Sequence, residues 1–118
     1  LARYVAFLEL ERTEWMRALG FGQERTRTDH GLVFAVRAMT MDFLKPARLD
    51  DALEVTATLV QCKRASMVFD QRVCRGDETL LTAQVRIAAL DASTFKPRGM
   101  DDVLLAALKP YELQVSAQ

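Results

Sequence analysis

The chain has 118 residues, half of them hydrophobic and 27% charged, which is the composition of one globular domain with its own core. Its 16 basic residues balance its 16 acidic residues, so no overall field favours a nucleic acid or an anionic membrane surface. No apolar run reaches the roughly 18–20 residues of a membrane-spanning helix. We therefore expect a single domain over residues 1–118, with no nucleic-acid partner and no membrane insertion.

The first predicted element is a helix from Tyr4 to Leu19, ended by Gly20, a residue that tolerates the left-handed conformation of a helix terminus. Its apolar side chains occupy more than one side of the helix: Tyr4, Phe7, Leu8, Trp15, Leu19, and further round Val5, Leu10 and Met16. Such a helix is expected to be enclosed by other structure. Because the helical pattern begins almost at Leu1, which is not an initiator methionine, we also expect the chain to be incomplete at its N-terminus.

Four strand-like segments follow, after a polar stretch at 21–31 that could hold one short helix. They are Leu32–Phe43, Leu53–Lys63, Met67–Cys74 and Leu80–Leu90. Short polar connections separate the last three, so these strands should form antiparallel hairpins. Asp101 or Asp102 can cap a last helix through Leu108, and residues 111–118 are expected to fray. The pattern predicts an α+β fold in which an antiparallel sheet wraps around a central helix.

The two cysteines, Cys62 and Cys74, lie on adjacent predicted strands. A turn centred on Arg64 and Ala65 would pair Cys62 with a residue near Met67, so a disulfide between the cysteines is not expected. Two unpaired thiols are typical of a reducing compartment. This favours a cytoplasmic protein.

Several short motifs occur along the chain in an order typical of one enzyme family. They are Tyr4-Val5-Ala6-Phe7 with Glu9, Arg12-Thr13-Glu14, Phe34-Ala35-Val36, Pro46-Ala47-Arg48-Leu49-Asp50-Asp51, Ser66 with Phe69 and Gln71, and Lys96-Pro97. Through them the chain resembles the hotdog-fold acyl-CoA thioesterases, in particular the hydroxybenzoyl-CoA thioesterase superfamily and its Tol–Pal-associated bacterial branch. The six residues from Pro46 to Asp51 are the most specific of these motifs.

This resemblance implies a hotdog fold, with a five-stranded sheet around the helix, whose first strand is expected upstream of Leu1. It also implies a homodimer or homotetramer that builds its active sites at subunit boundaries. Leu1 stands where many members of the family carry histidine. The loop with the usual catalytic aspartate would lie upstream of Leu1.

Thioester hydrolysis needs a carboxylate, acting as a nucleophile or as a base for water, and a group that polarises the thioester carbonyl. The resemblance places the carbonyl near the start of the first helix, where the amides around Ala2 to Val5 are available. Glu9 is the candidate catalytic carboxylate in this sequence, because relatives carry an acid there and burial on an apolar helix would raise its pKa. The alternative is that Glu9 is exposed, or paired with Arg12 one turn on.

Two groups of residues are candidates for binding the substrate. In the family, a basic cluster followed by serine holds the CoA phosphates, and the matching residues are Lys63, Arg64 and Ser66; without the family, these would be a solvated turn. Tyr4, Phe7, Phe34 and Val36 could line an acyl pocket, although such residues also serve as plain core.

The single histidine, His30, lies in a polar segment with no cluster of metal-ligand spacing around it. We expect no metal and no cofactor. The sequence as a whole predicts an acyl-CoA thioester hydrolase, with an acyl-CoA as its substrate. The alternatives are a non-catalytic acyl-CoA-binding hotdog module and a hotdog hydratase or dehydratase, which would use a histidine and an acid at the helix entrance.

Overall fold

Two helices, four strands and a third helix follow one another along residues 1–113, the part of the chain that the computed structural model describes. The helices are α1 (Ala2–Ala18), α2 (Gln23–His30) and α3 (Asp102–Leu108), followed by one 3-10 turn (Lys109–Tyr111). The strands are β1 (Leu32–Phe43), β2 (Glu54–Lys63), β3 (Ser66–Arg75) and β4 (Glu78–Asp91). The predicted α+β order is confirmed, including the short helix between residues 21 and 31. The prediction that residues 111–118 fray is wrong for residues 111–113, because Tyr111 packs edge-on against Trp15 and the Leu113 amide donates a hydrogen bond of 2.8 Å to the Leu59 carbonyl oxygen. Residues 114–118 lie outside the described residues.

The four strands form one antiparallel sheet in the order β1-β4-β3-β2. Two tight hairpins join β2 to β3 and β3 to β4, so only the connection from β1 to β2 crosses the sheet. Cys62 pairs with Met67 across the first hairpin, which confirms the register predicted from its turn. β1 and β2 are the two edge strands of this sheet.

Helix α1 lies on one face of the sheet and packs mainly over β2. Leu8, Arg12 and Met16 are its buried residues, and their spacing of four residues places them on one side of the helix. Leu10 is 60% exposed, so the prediction that the entire apolar surface of the helix is enclosed is wrong for this residue. Leu10 is two residues away from Leu8, about 200° around the helix axis, and therefore points away from the sheet.

The ends of the helices follow local chemistry. Gly20 adopts a φ of 93°, which lets the chain leave α1 in the left-handed region that other residues avoid. The Asp101 carboxylate accepts a hydrogen bond of 2.8 Å from the Leu104 amide, as an N-cap does. That bond, together with the contact to His30, lowers the pKa of Asp101. Within residues 1–113, no helix combines the length and hydropathy needed to span a membrane.

Candidate active site

Three clefts contain most of the residues selected from the sequence, and Glu9 lies in the one bounded by α1, α2 and β1. This cavity, called here the Glu9 cavity, has a volume of ≈ 480 Å³. Its apolar wall comes from helix, strand and loop residues: Met16, Phe21, Leu32, Val33, Phe34, Ala35, Val36, Met67, Phe69, Ile87, Leu90 and Phe95. Its polar groups come mostly from α1 and α2: Glu9, Arg12, Thr13, Gln23, Thr26 and Arg27. The structure therefore brings Glu9 together with Phe34 and Val36. Glu9 itself is exposed, so the prediction that it is buried on an apolar helix is wrong and the alternative of an exposed side chain holds, because Glu9 follows the buried Leu8 and turns away from the sheet.

Strand register places Phe34 and Val36 in this cavity. Phe34 pairs with Ala89 and Val36 pairs with Ile87, and both partners are buried core residues, so the two side chains share the face that looks towards α1. The register of β1 shifts after Val36. A bulge at Arg37 thus separates the cavity wall from the rest of the strand.

A buried cation forms part of the same cavity. Arg12 is 7% exposed, and its Nη1 donates a hydrogen bond of 2.8 Å to Oε1 of Gln71. The amide nitrogen of Gln71 in turn donates to the carbonyl oxygens of Leu8 at 3.0 Å and Thr56 at 3.4 Å. Burial lowers the pKa of Arg12, and the charge of nearby Glu9 opposes that shift. Gln71 therefore fixes the guanidinium in place without neutralising it.

Tyr4 and Phe7 line a different cleft, of ≈ 640 Å³, at the start of α1. Tyr4 also makes an edge contact with Phe43, with ring centroids 6.0 Å apart. Within one chain, the structure therefore separates Tyr4 and Phe7 from Phe34 and Val36. The start of α1 lies about 10 Å from Glu9, given a rise of about 1.5 Å per residue.

The segment between β1 and β2 forms one side of the Tyr4 cleft, and ion pairs hold it. The Asp51 carboxylate accepts hydrogen bonds of 2.6 Å from both the Arg48 amide and the Arg75 guanidinium. Both bonds lower the pKa of Asp51, and the bond from the Arg48 amide has the larger effect. Glu78 also pairs with Arg75, at 3.2 Å. This network keeps Arg48 at the cleft that Tyr4 and Phe7 line.

Lys63 and Arg64 line a third cleft, of ≈ 540 Å³, between the β2–β3 turn and α3. The Arg64 guanidinium donates to the carbonyl oxygen of Met100 at 2.9 Å and pairs with Asp102 at 2.9 Å. Lys63 is exposed and Ser66 is half-buried at the start of β3. The turn therefore carries two cationic side chains, Lys63 and Arg64, and Arg64 already forms an ion pair with Asp102.

His30 ends α2, and its Nδ1 lies 2.5 Å from an Asp101 carboxylate oxygen. This contact ties α2 to the N-cap of α3, and His30 does not line the Glu9 cavity. Across residues 1–113, no group of His, Cys, Asp and Glu side chains has an arrangement that could hold a metal ion. The Cys62 thiol is buried, and this burial raises its pKa.

Arg12 was named in the sequence as part of the Arg12-Thr13-Glu14 motif and as a possible partner of Glu9, but not as a residue of the acyl pocket. The available signal was its position, four residues from both Leu8 and Met16 on an otherwise apolar helix face. A charged residue at such a position is either exposed or buried with a hydrogen-bond partner. Gln71, which supplies that partner, is 59 residues away along the chain, so no local pattern connects the two.

Known proteins similar to this chain include thioesterases. The sequence profile of the thioesterase superfamily matches residues 2–82. The chain is 38% identical over 109 residues to the acyl-CoA thioester hydrolase YbgC of Escherichia coli O157:H7, covering 92% of this chain and 81% of the relative. It is 36% identical over 96 residues to the acyl-CoA thioesterase YbgC of Haemophilus influenzae, covering 81% of this chain and 71% of the relative.

A solved structure shows the same architecture. The probable thioesterase from Bartonella henselae superimposes with a TM-score of 0.78 at 31% sequence identity, covering 85% of this chain and 82% of that chain. The profile match over residues 2–82 includes α1, which carries Glu9, and β1, which carries Phe34 and Val36. The chain therefore belongs to the thioesterase superfamily.

Proposed function

We propose that this chain hydrolyses acyl-CoA thioesters to a carboxylic acid and free CoA, and that the acyl group is cleaved in the Glu9 cavity. The observation that carries the proposal is the position of the exposed Glu9 side chain at a cavity whose walls are mostly apolar. A carboxylate beside an acyl-sized apolar space is the arrangement that water-mediated thioester cleavage needs. The YbgC relatives, named as acyl-CoA thioester hydrolases, support the same reaction.

In the proposed reaction, the Glu9 carboxylate accepts a proton from a water molecule, and the oxygen of that water forms a bond to the thioester carbonyl carbon. The carbonyl oxygen takes up the negative charge of the tetrahedral intermediate. The carbon–sulfur bond then breaks with its electron pair on sulfur. The CoA thiolate receives the proton from Glu9, which restores the carboxylate.

The developing oxyanion needs hydrogen-bond donors, and the amides at the start of α1 are suited to this role. Within one chain they lie about 10 Å from Glu9 along the helix. We infer that a second copy supplies them. The Glu9 cavity is lined by Phe34 and Val36 of the edge strand β1, so a copy bound along β1 would border the cavity.

The β1 edge has the properties of an interface in a homodimer or homotetramer. It is twelve residues long, its outer backbone groups have no strand partner among residues 1–113, and Val36 and Phe43 are 50% and 55% exposed. Long apolar edges of this kind are normally covered. A two-fold contact would cover the same edge on both copies.

Substitution of Phe43 by aspartate is expected to weaken this association by about 100-fold or more, because it places an unpaired charge in the interface. Sedimentation equilibrium of the wild type should give a multiple of the chain mass, and Phe43→Asp should shift it towards one chain. Val103→Asp is the matched control, at a residue that is 70% exposed on α3, the helix next to the opposite edge strand β2. A wild type that sediments as a single chain would rule out this arrangement.

We further propose that the CoA phosphates bind at the β2–β3 turn, through Lys63, Arg64 and Ser66. Lys63, Arg64 and Lys109 border the same cleft, and clustered cations are good phosphate ligands. Ser66 does not line this cleft, but it pairs with Lys63 across the hairpin. Arg64 would exchange its exposed partner, Asp102, for a phosphate.

Release of free thiol from short, long and aromatic acyl-CoAs, and from the matching acyl-pantetheines, tests both parts of the proposal. We expect turnover well above background, and a higher KM with a similar kcat for acyl-pantetheines, because these lack the nucleotide phosphates. Binding of acyl-CoA without thiol release from any thioester would instead indicate a binding module. Equal KM values for the two series would exclude the phosphate site.

A further inference from the structure

The guanidinium of Arg12 has hydrogen-bonding capacity that the protein itself does not use. Among residues 1–113, its hydrogen-bond partner is Gln71. In the same part of the chain, every fully buried side-chain nitrogen or oxygen has a hydrogen-bond partner. The remaining guanidinium nitrogens are therefore accessible. The accessible space beside them is the Glu9 cavity, which Arg12 lines.

Gln71 restricts the orientation of this cation. Its amide nitrogen donates to two main-chain carbonyl oxygens, those of Leu8 and Thr56. These bonds fix the orientation of the amide group, with its carbonyl oxygen directed towards Arg12. Gln71 is 1% exposed, which excludes competing water. A side chain held in this way presents its remaining donors with little loss of conformational freedom.

The charge of the cavity favours an anion. Three charged residues line it, Glu9, Arg12 and Arg27, and their formal charges of −1, +1 and +1 sum to +1. Among the described residues, no carboxylate forms an ion pair with Arg12, whose partner is the neutral amide of Gln71. A purely hydrocarbon acyl chain would strip the remaining water from the guanidinium and offer nothing in exchange, which is unfavourable.

We propose that the acyl group this cavity takes carries a carboxylate at its far end, bound by the accessible nitrogens of Arg12. The proposal rests on acyl-CoA hydrolysis in the Glu9 cavity and names its substrate class, the mono-CoA thioesters of dicarboxylic acids. Arg12 follows Glu9 by three residues, so the two side chains are neighbours on α1, with Cβ atoms about 5–6 Å apart. A short acyl chain spans that separation with its thioester at Glu9 and its carboxylate at Arg12.

A carboxylate suits this site better than a neutral acceptor does. A guanidinium binds the two oxygens of a carboxylate through two parallel hydrogen bonds, and both bonds are strengthened by charge. A hydroxyl group at the same place would accept one bond and leave the positive charge uncompensated. We therefore expect a hydroxyl-terminated chain to rank between the carboxylate and the plain hydrocarbon.

Adipoyl-CoA, 6-hydroxyhexanoyl-CoA and hexanoyl-CoA have equally long acyl chains and form the test set. Wild-type kcat/KM is expected to favour adipoyl-CoA over hexanoyl-CoA roughly 10- to 100-fold, the factor that charge-assisted hydrogen bonds supply. Arg12→Met should remove or reverse this preference, and Arg12→Lys should retain part of it. Arg72→Met, at an exposed residue on the other face of β3, removes the same charge and should leave the preference unchanged.

Isothermal titration calorimetry with free adipate and free hexanoate tests the Arg12 proposal separately from the hydrolysis proposal. It uses the wild-type protein, so the result does not depend on whether a variant folds. Tighter binding of adipate to the wild type supports the Arg12 site even if no thioester is cleaved, in which case only the hydrolase proposal fails. Hexanoyl-CoA cleaved as fast as adipoyl-CoA, or hexanoate bound as tightly as adipate, would overturn the Arg12 proposal while hydrolysis itself stands.

Discussion

Substitution of Glu9 by glutamine is expected to lower kcat by about 10²- to 10⁴-fold, the contribution typical of a positioned general base. Glutamine keeps the size and shape of the side chain, but its neutral amide cannot accept the proton from water. Glu9 is exposed, so the free energy of unfolding should stay within about 0.5 kcal/mol of the wild type. The measurement is steady-state thiol release with the best acyl-CoA of the panel.

Glu24→Gln is the matched control, because Glu24 is exposed on α2 and does not line the Glu9 cavity. It should retain wild-type kcat and KM. If Glu9→Gln also keeps kcat, another carboxylate is the base. Glu9 would then be a neighbour of the substrate and not the proton acceptor.

Truncation of Phe69 to alanine is expected to cost about 3–5 kcal/mol of unfolding free energy, the range for a fully buried phenylalanine. Phe69 is 1% exposed and packs edge-on against Trp15, with ring centroids 5.3 Å apart. Trp15 in turn contacts Tyr111 at 5.8 Å. Loss of the Phe69 ring therefore removes an aromatic contact between β3 and Trp15 of α1, and with it the support that β3 gives to the Trp15–Tyr111 pair.

Chemical denaturation followed by the fluorescence of Trp15, the single tryptophan, measures this effect directly. Val103→Ala is the control, since Val103 is 70% exposed on α3, and it should change stability by no more than about 0.5 kcal/mol. A loss below about 1 kcal/mol for Phe69→Ala would mean that the surrounding core closes over the vacated space. Phe69 also lines the Glu9 cavity, so the variant should lose activity with every acyl group.

The local elements of this protein follow from its sequence. The bounds predicted for β1, Leu32 to Phe43, agree with the structure, and those of the other strands differ by one or two residues. The β2–β3 register and the Asp101 cap were also predictable, because a tight turn and an N-cap depend on residues within a few positions of each other. The domain extent over residues 1–118 and the cytoplasmic location stay predictions.

The site was less predictable than the fold. Phe34, Val36 and Glu9 meet in one cavity, as an acyl pocket with a catalytic carboxylate requires, but Tyr4 and Phe7 line another cleft. The sequence shows that α1 is apolar on several sides; it does not show which side meets the sheet. That choice depends on packing against β2 and β3, strands that follow in the chain after more than thirty residues.

Periodicity and turn chemistry by themselves determined the elements of this protein, their order and the antiparallel pairing of the hairpins, because these depend on short-range backbone preferences. Family motifs in the sequence indicated the thioesterase superfamily. Only the tertiary structure decided that Arg12 is buried beside Gln71 and faces the Glu9 cavity. The physical reason is that burial of a charge depends on a distant partner that satisfies it, and such a partner is visible only when helix and sheet have packed together.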